Sequence, residues 1–86
     1  MNTIESTLRG FLQETFYVRE AESLRSDASL VDEGIVDSTG FLELTAFLES
    51  EFGITVQDDE IVPENLDTLA RMVAFVERKR EAASAA

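Results

Sequence analysis

The chain contains no cysteine, no histidine and no tryptophan, and it has one proline and one lysine. Without cysteine there is no disulfide framework, no thiolate nucleophile and no sulfur-based zinc site. Without histidine there is no Ser-His-Asp triad and no imidazole general base. A serine hydrolase would have to recruit Lys79, which stands between two arginines and is a poor general base there. Positive charge is also scarce: 7 basic residues face 18 acidic ones, for a net charge of -11. Nucleic-acid binding through phosphates needs Lys and Arg clusters, so it is disfavoured, and anionic membrane surfaces are disfavoured for the same reason. No stretch is long and apolar enough to span a bilayer, and the N-terminus lacks the charged-then-apolar order of a signal peptide. We therefore expect a cytoplasmic protein whose partners are proteins with basic patches, reached by electrostatic steering.

What is present points to one small globular domain, 1–86. Apolar residues make up 44% and charged residues 29% of the 86 residues, which is globular rather than disordered composition. A core of this size is marginal, so nearly every regular apolar position is needed for folding. Ile4, Leu8, Phe11, Leu12 and Phe16 recur at helical spacing, which predicts a first helix from Asn2 to about Phe16. Asn2 and Glu5 are placed for a reciprocal cap. A connection follows from Tyr17 to Asp37. It is rich in turn residues, and Leu24, Leu30, Val31, Ile35 and Val36 are expected to tack it onto the helices, because a structureless loop of about twenty residues is uncommon in a compact domain. Gly34 is expected to supply a positive φ.

The second helix is expected from Ser38 to about Phe52. Phe41, Leu44, Leu48 and Phe52 form its apolar face, and Gly53 closes it in the left-handed conformation. Ile54-Thr55-Val56 reads as an extended link. Asp58-Asp59-Glu60-Ile61 suits one helical turn, stopped by Pro63. The last helix, capped by Asp67 or Asn65, buries Leu69, Met72, Val73 and Val76, with Leu66 at its entrance. It runs to about Arg80, where Arg78, Lys79 and Arg80 complement the dipole, and residues 81–86 form a frayed tail. The acidic run at Asp58 lacks the alternating oxygen ligands and central glycine of an EF-hand loop, so no metal site is expected. The fold class is therefore all-α, a three-to-four-helix bundle with a long connection between its first two helices.

The chain is organised around Gly34-Ile35-Val36-Asp37-Ser38-Thr39-Gly40. Asp37 is a good N-cap. Ser38 therefore enters the first turn, where free N–H groups and the helix dipole favour a phosphate. An exposed hydroxyl at a helix N-terminus, next to an aspartate and followed by an acidic helix, reads as an attachment site rather than a catalytic nucleophile. A regulatory phosphoserine there is chemically reasonable, but it explains less of the chain.

These residues, together with Glu49-Ser50-Glu51-Phe52-Gly53-Ile54-Thr55-Val56, resemble the acyl carrier protein family from about Ile4 to Val76. The resemblance implies that Ser38 receives 4′-phosphopantetheine from coenzyme A by way of a phosphopantetheinyl transferase. It implies a non-enzymatic, monomeric carrier of acyl or aminoacyl thioesters, charged by a loading ligase or acyltransferase. The family's usual leucine after the serine is Thr39 here, followed by Gly40. That departure, with the Gly-Ile-Val-Asp-Ser-Thr-Gly run, resembles free-standing aminoacyl or peptidyl carriers of specialised pathways. Asp37, Thr39, Glu43 and Glu49 are expected to dock partners. Leu44, Leu48, Ile61, Met72 and Val76 are either core or the lining of a cargo cleft, and the small size of the domain favours core. The competing reading is an acidic protein-interaction module without a prosthetic group.

Overall fold

The computed structural model describes residues 3–16, 18 and 24–85, the last three of these by backbone alone. The expected Asn2 cap and the stretch around Ser23 lie outside these residues. Among the described residues four α-helices follow one another: α1 Thr3–Thr15, α2 Ser38–Phe52, α3 Pro63–Leu66 and α4 Leu69–Ala85, with a 3₁₀ turn at Asp58–Glu60 before α3. Helix α4 is the spine, packing against α1, α2 and α3.

The apolar stripes meet as their spacing requires. Ile4, Leu8 and Leu12 of α1, Leu44 and Leu48 of α2, Leu66 of α3, and Leu69, Met72, Val73, Phe75 and Val76 of α4 share one core. Phe75 is fully buried although it lies outside the narrower stripe expected for α4, so that helix buries a wider arc. Phe11 stacks on Phe47 with ring centroids 4.0 Å apart, which ties α1 to α2. Ile54 is buried and Val56 half-buried, as expected of the link after Gly53, whose φ is 67°.

Several local expectations are corrected. Pro63 does not simply stop a turn: it opens α3 at the first helical position, where a missing N–H costs nothing. Neither Asp67 nor Asn65 caps α4. Thr68 does, its hydroxyl accepting the Arg71 N–H at 3.0 Å, because Asp67 is already committed to the long connection and Asn65 donates to the Glu60 carbonyl at 2.9 Å. Helix α4 continues past Arg80 to Ala85, since Glu81 and the alanines are good helix formers with no breaker among them. Arg78 and Lys79 therefore do not sit at its end. Arg78 donates to Asn65 at 3.2 Å and Lys79 to Glu60 at 2.8 Å, pinning α4 to α3 and to the 3₁₀ turn before it.

The long connection is stitched down twice. Arg9 of α1 donates to the Leu24 carbonyl at 2.6 Å, and the Ser26 carbonyl accepts the Ala70 N–H at 2.9 Å. Further on, residues 29–31 bond to Asp67, and Leu30 is fully buried beneath them. Val31 departs from expectation. It is 45% exposed, because its neighbour Leu30 occupies the inward direction.

Candidate attachment site at the start of the second helix

Gly34, at φ 72°, turns the chain back on itself. The Ile35 and Val36 N–H groups then both donate to the Leu30 carbonyl, at 2.9 and 3.2 Å. Val36 is buried and Asp37 is extended. The Asp37 carboxylate accepts the Gly40 N–H at 2.8 Å, and its carbonyl accepts the Phe41 N–H at 3.0 Å. Asp37 is thus the N-cap the sequence predicts, and Ser38 is the first residue of α2.

Ser38 is exposed. Among the described residues nothing hydrogen-bonds its hydroxyl, and no basic side chain lines the hollow beside it. The hydroxyl is therefore available to a partner's active site. The hollow is open and measures about 860 Å³. Phe16, Val31, Ile35, Phe41 and Pro63 supply its apolar lining, and Asp37 to Gly40 and Glu43 supply its polar edge. The capped helix start offers N–H groups and a favourable dipole for a phosphate ester. An unpartnered hydroxyl, a helix N-terminus and an open approach together fit a phosphate-linked arm.

The docking candidates fall in different settings. Thr39 and Glu43 are exposed near Ser38. Asp37 is exposed too, though its carboxylate serves the cap. Glu49 lies about three turns along α2 from Ser38, half-buried, and accepts the Val56 N–H at 3.0 Å, so it holds the link after α2. The candidate cargo lining reads as core: Leu44, Leu48, Met72 and Val76 are fully buried and Ile61 is half-buried. The hollow lies beside Ser38 instead.

Three features escaped the sequence reading. Leu42 is 59% exposed; the 100° step of a helix from Phe41 already turns it off the core face. Gly40 is buried, and a Cβ added to it would stand 2.8 Å from Val36 Cγ1 and 3.1 Å from Phe16 Cε1. The third is Asp67. No local pattern distinguishes a cap from a long-range clamp.

A short helical bundle with a capped, exposed serine at the mouth of an acidic helix defines a carrier-type domain. Comparison with known proteins agrees. The family model described as the phosphopantetheine attachment site matches residues 6–76. The D-alanyl carrier protein of Abiotrophia defectiva is 42% identical over 53 residues, covering 62% of this chain and 67% of that one. An acyl carrier protein of Buchnera aphidicola is 30% identical over 79 residues, covering 92% and 95%. The probable acyl carrier protein PigG of Serratia sp. is 35% identical over 75 residues, covering 87% and 86%. The chain belongs to the phosphopantetheine-binding carrier proteins. It carries acyl or aminoacyl groups on covalently attached 4′-phosphopantetheine, and it works with a phosphopantetheinyl transferase and with biosynthetic enzymes. The reading as an acidic module without a prosthetic group is not favoured. No helix among the described residues is long and apolar enough to cross a membrane.

Proposed function

We propose that Ser38 is the attachment residue and that this single-domain, monomeric chain acts in the cytoplasm as a carrier of small aminoacyl or acyl groups, with no catalysis of its own. The carrying observation is the exposed Ser38 hydroxyl at the Asp37-capped start of α2, opening onto the hollow. When bound, the group supplies a thiol on a flexible arm that holds the cargo as a thioester. The chain's own residues do the rest. Asp37 fixes the first turn through Gly40, and the helix start favours the phosphate. The tether raises the effective concentration of cargo at a partner's active site.

The filled core between α2 and α4 supports a small cargo carried outside the bundle, and relatives named D-alanyl carrier proteins support an aminoacyl one. Asp37, Thr39, Glu43 and Glu49 mark the docking face for a loading ligase or acyltransferase with a basic patch. Glu49 contributes charge from a side chain already committed to Val56. Exposed charges of this kind act mainly on association rate. Glu43→Lys should therefore slow loading several-fold at low salt and little at high salt (about 1 M, where the Debye length is about 3 Å). Equal loading of both proteins at low salt would remove Glu43 from the docking face.

The attachment test is intact mass after incubating apo protein with coenzyme A, magnesium and a broad-specificity phosphopantetheinyl transferase. One phosphopantetheine should appear on the wild type and none on Ser38→Ala. Modification of Ser38→Ala would overturn the assignment.

A further inference from the structure

Asp67 is buried at the corner between α3 and α4, far in sequence from Ser38, and it makes an unusual set of contacts. Its Oδ2 accepts the Ser29 hydroxyl at 2.6 Å, and its Oδ1 accepts the Val31 N–H at 3.0 Å. Its carbonyl accepts the Leu30 N–H at 2.7 Å. Three consecutive residues of the long connection thus hang from one aspartate. Leu30 passes the constraint on, since its carbonyl accepts the Ile35 and Val36 N–H groups. Val36 in turn packs so closely on Gly40 that a single added methyl would meet it at 2.8 Å. The path from Asp67 to the first turn of α2 consists entirely of hydrogen bonds and tight packing. Part of the hollow's rim, at Val31 and Gly34, belongs to the same suspended segment.

We propose that Asp67 is a positioning residue for modification of Ser38, holding the segment that aims its hydroxyl at the transferase. The inference rests on Ser38 being the attachment residue. In that transfer the Ser38 Oγ–P bond forms and the pyrophosphate P–O bond of coenzyme A breaks. The hydroxyl proton passes to a base of the transferase, and adenosine 3′,5′-bisphosphate leaves. A misplacement of about 1 Å can cost such a reaction up to about a hundredfold, so a clamp remote from the reacting atoms is sufficient to matter. Asp67→Ala removes both side-chain acceptors. Asp67→Asn keeps the shape, an oxygen for the Val31 N–H, and an NH₂ that can donate to Ser29.

The experiment measures the initial rate of mass gain on apo protein with coenzyme A and transferase, and amide hydrogen exchange on the same apo proteins. Asp67→Ala should be modified about tenfold more slowly, with Asp67→Asn restored to within about threefold of wild type. In Asp67→Ala the Ile35 and Val36 amides should lose more protection than those of Leu48 and Met72, because the opening is local. Val73→Ala, which removes buried volume in α4 outside this path, is the control for a general loss of stability and should be modified at the wild-type rate. A wild-type rate for Asp67→Ala, a loss no greater than that of Val73→Ala, or an Asp67→Asn protein as slow as Asp67→Ala would overturn the proposal. If Asp67→Ala does not fold, Ser29→Ala removes the Oδ2 contact, together with the bond the Ser29 hydroxyl accepts from the Asp32 N–H, and leaves the Leu30 and Val31 bonds to Asp67 in place. It should still loosen Ile35 and Val36, and unchanged exchange there would overturn the proposal equally. Ser38→Ala runs alongside: a mass gain on it would refute the attachment reading itself, which is distinct from a failure of the clamp.

Discussion

Two glycines in helices make opposite predictions for the same substitution. Gly10 is exposed in the middle of α1, and a Cβ there would meet nothing within 4 Å. Alanine at that position should stabilise the protein by about 0.4–1 kcal/mol, because it restricts the unfolded chain and suits a helix. Gly40 has the same helical gain available, but its Cβ would stand 2.8 Å from Val36 Cγ1 and 3.1 Å from Phe16 Cε1. Val36 is held by its own hydrogen bond to Leu30 and cannot simply swing away. Overpacking of this kind costs about 1–3 kcal/mol, which exceeds the helical gain of about 1 kcal/mol and leaves a net loss of about 1 kcal/mol. In a domain of this length 1 kcal/mol moves the thermal midpoint by about 4–8 °C. Thermal unfolding followed by far-ultraviolet circular dichroism should therefore raise the midpoint for Gly10→Ala and lower it for Gly40→Ala. A Gly40→Ala midpoint at or above that of Gly10→Ala would refute the reasoning, because it would mean that Val36 and Phe16 yield at no cost.

Other outcomes follow from single contacts. Asp37→Ala removes the carboxylate that accepts the Gly40 N–H; chemical denaturation should show a loss of about 0.5–2 kcal/mol, and Asp37→Ser should recover most of it. The Lys79 ammonium, and then the Gln57 N–H, hold the Glu60 carboxyl below its ordinary value of 4.5. A lowered folded value means the contribution is present above pH 4.5 and is lost as pH falls through the folded value. Lys79→Met should therefore lose stability near neutrality and show a shallower decline below pH 4.5, the difference staying within about 1 kcal/mol because the pair is partly exposed. Identical acid profiles for the two proteins would show that the pair contributes nothing.

Much of the fold was legible because periodicity and punctuation agree. Asp37, Gly34 and Gly53 each announce a local geometry, and the structure has Asp37 as the cap and both glycines at positive φ. The start and end of α2 follow from those residues alone. What was not legible depends on sequence-distant partners. Asp67 is a good cap residue by type, yet Ser29 and the backbone of Leu30 and Val31 claim it. Arg78 and Lys79 match a helix terminus by charge, yet Asn65 and Glu60 set their positions. The apolar residues of the long connection raise the same difficulty. Leu30 and Val31 are equivalent in composition, and only the turn geometry sends one inward and leaves the other at the rim of the hollow. Ser38 stood out because its cap and its exposure both follow from neighbours within three residues.

The Lys79–Glu60 pair has a consequence for cargo safety. A thioester is open to aminolysis, and a carrier that offered a free lysine beside its arm would acylate itself. This chain has one lysine. It lies on α4, half-buried, and donates to Glu60 at 2.8 Å. To attack, that side chain would have to break its ion pair, lose its proton and leave its seat over the Phe75 ring. The only side-chain amine in the sequence is thereby kept engaged, and α2 itself carries no lysine to meet whatever the arm displays.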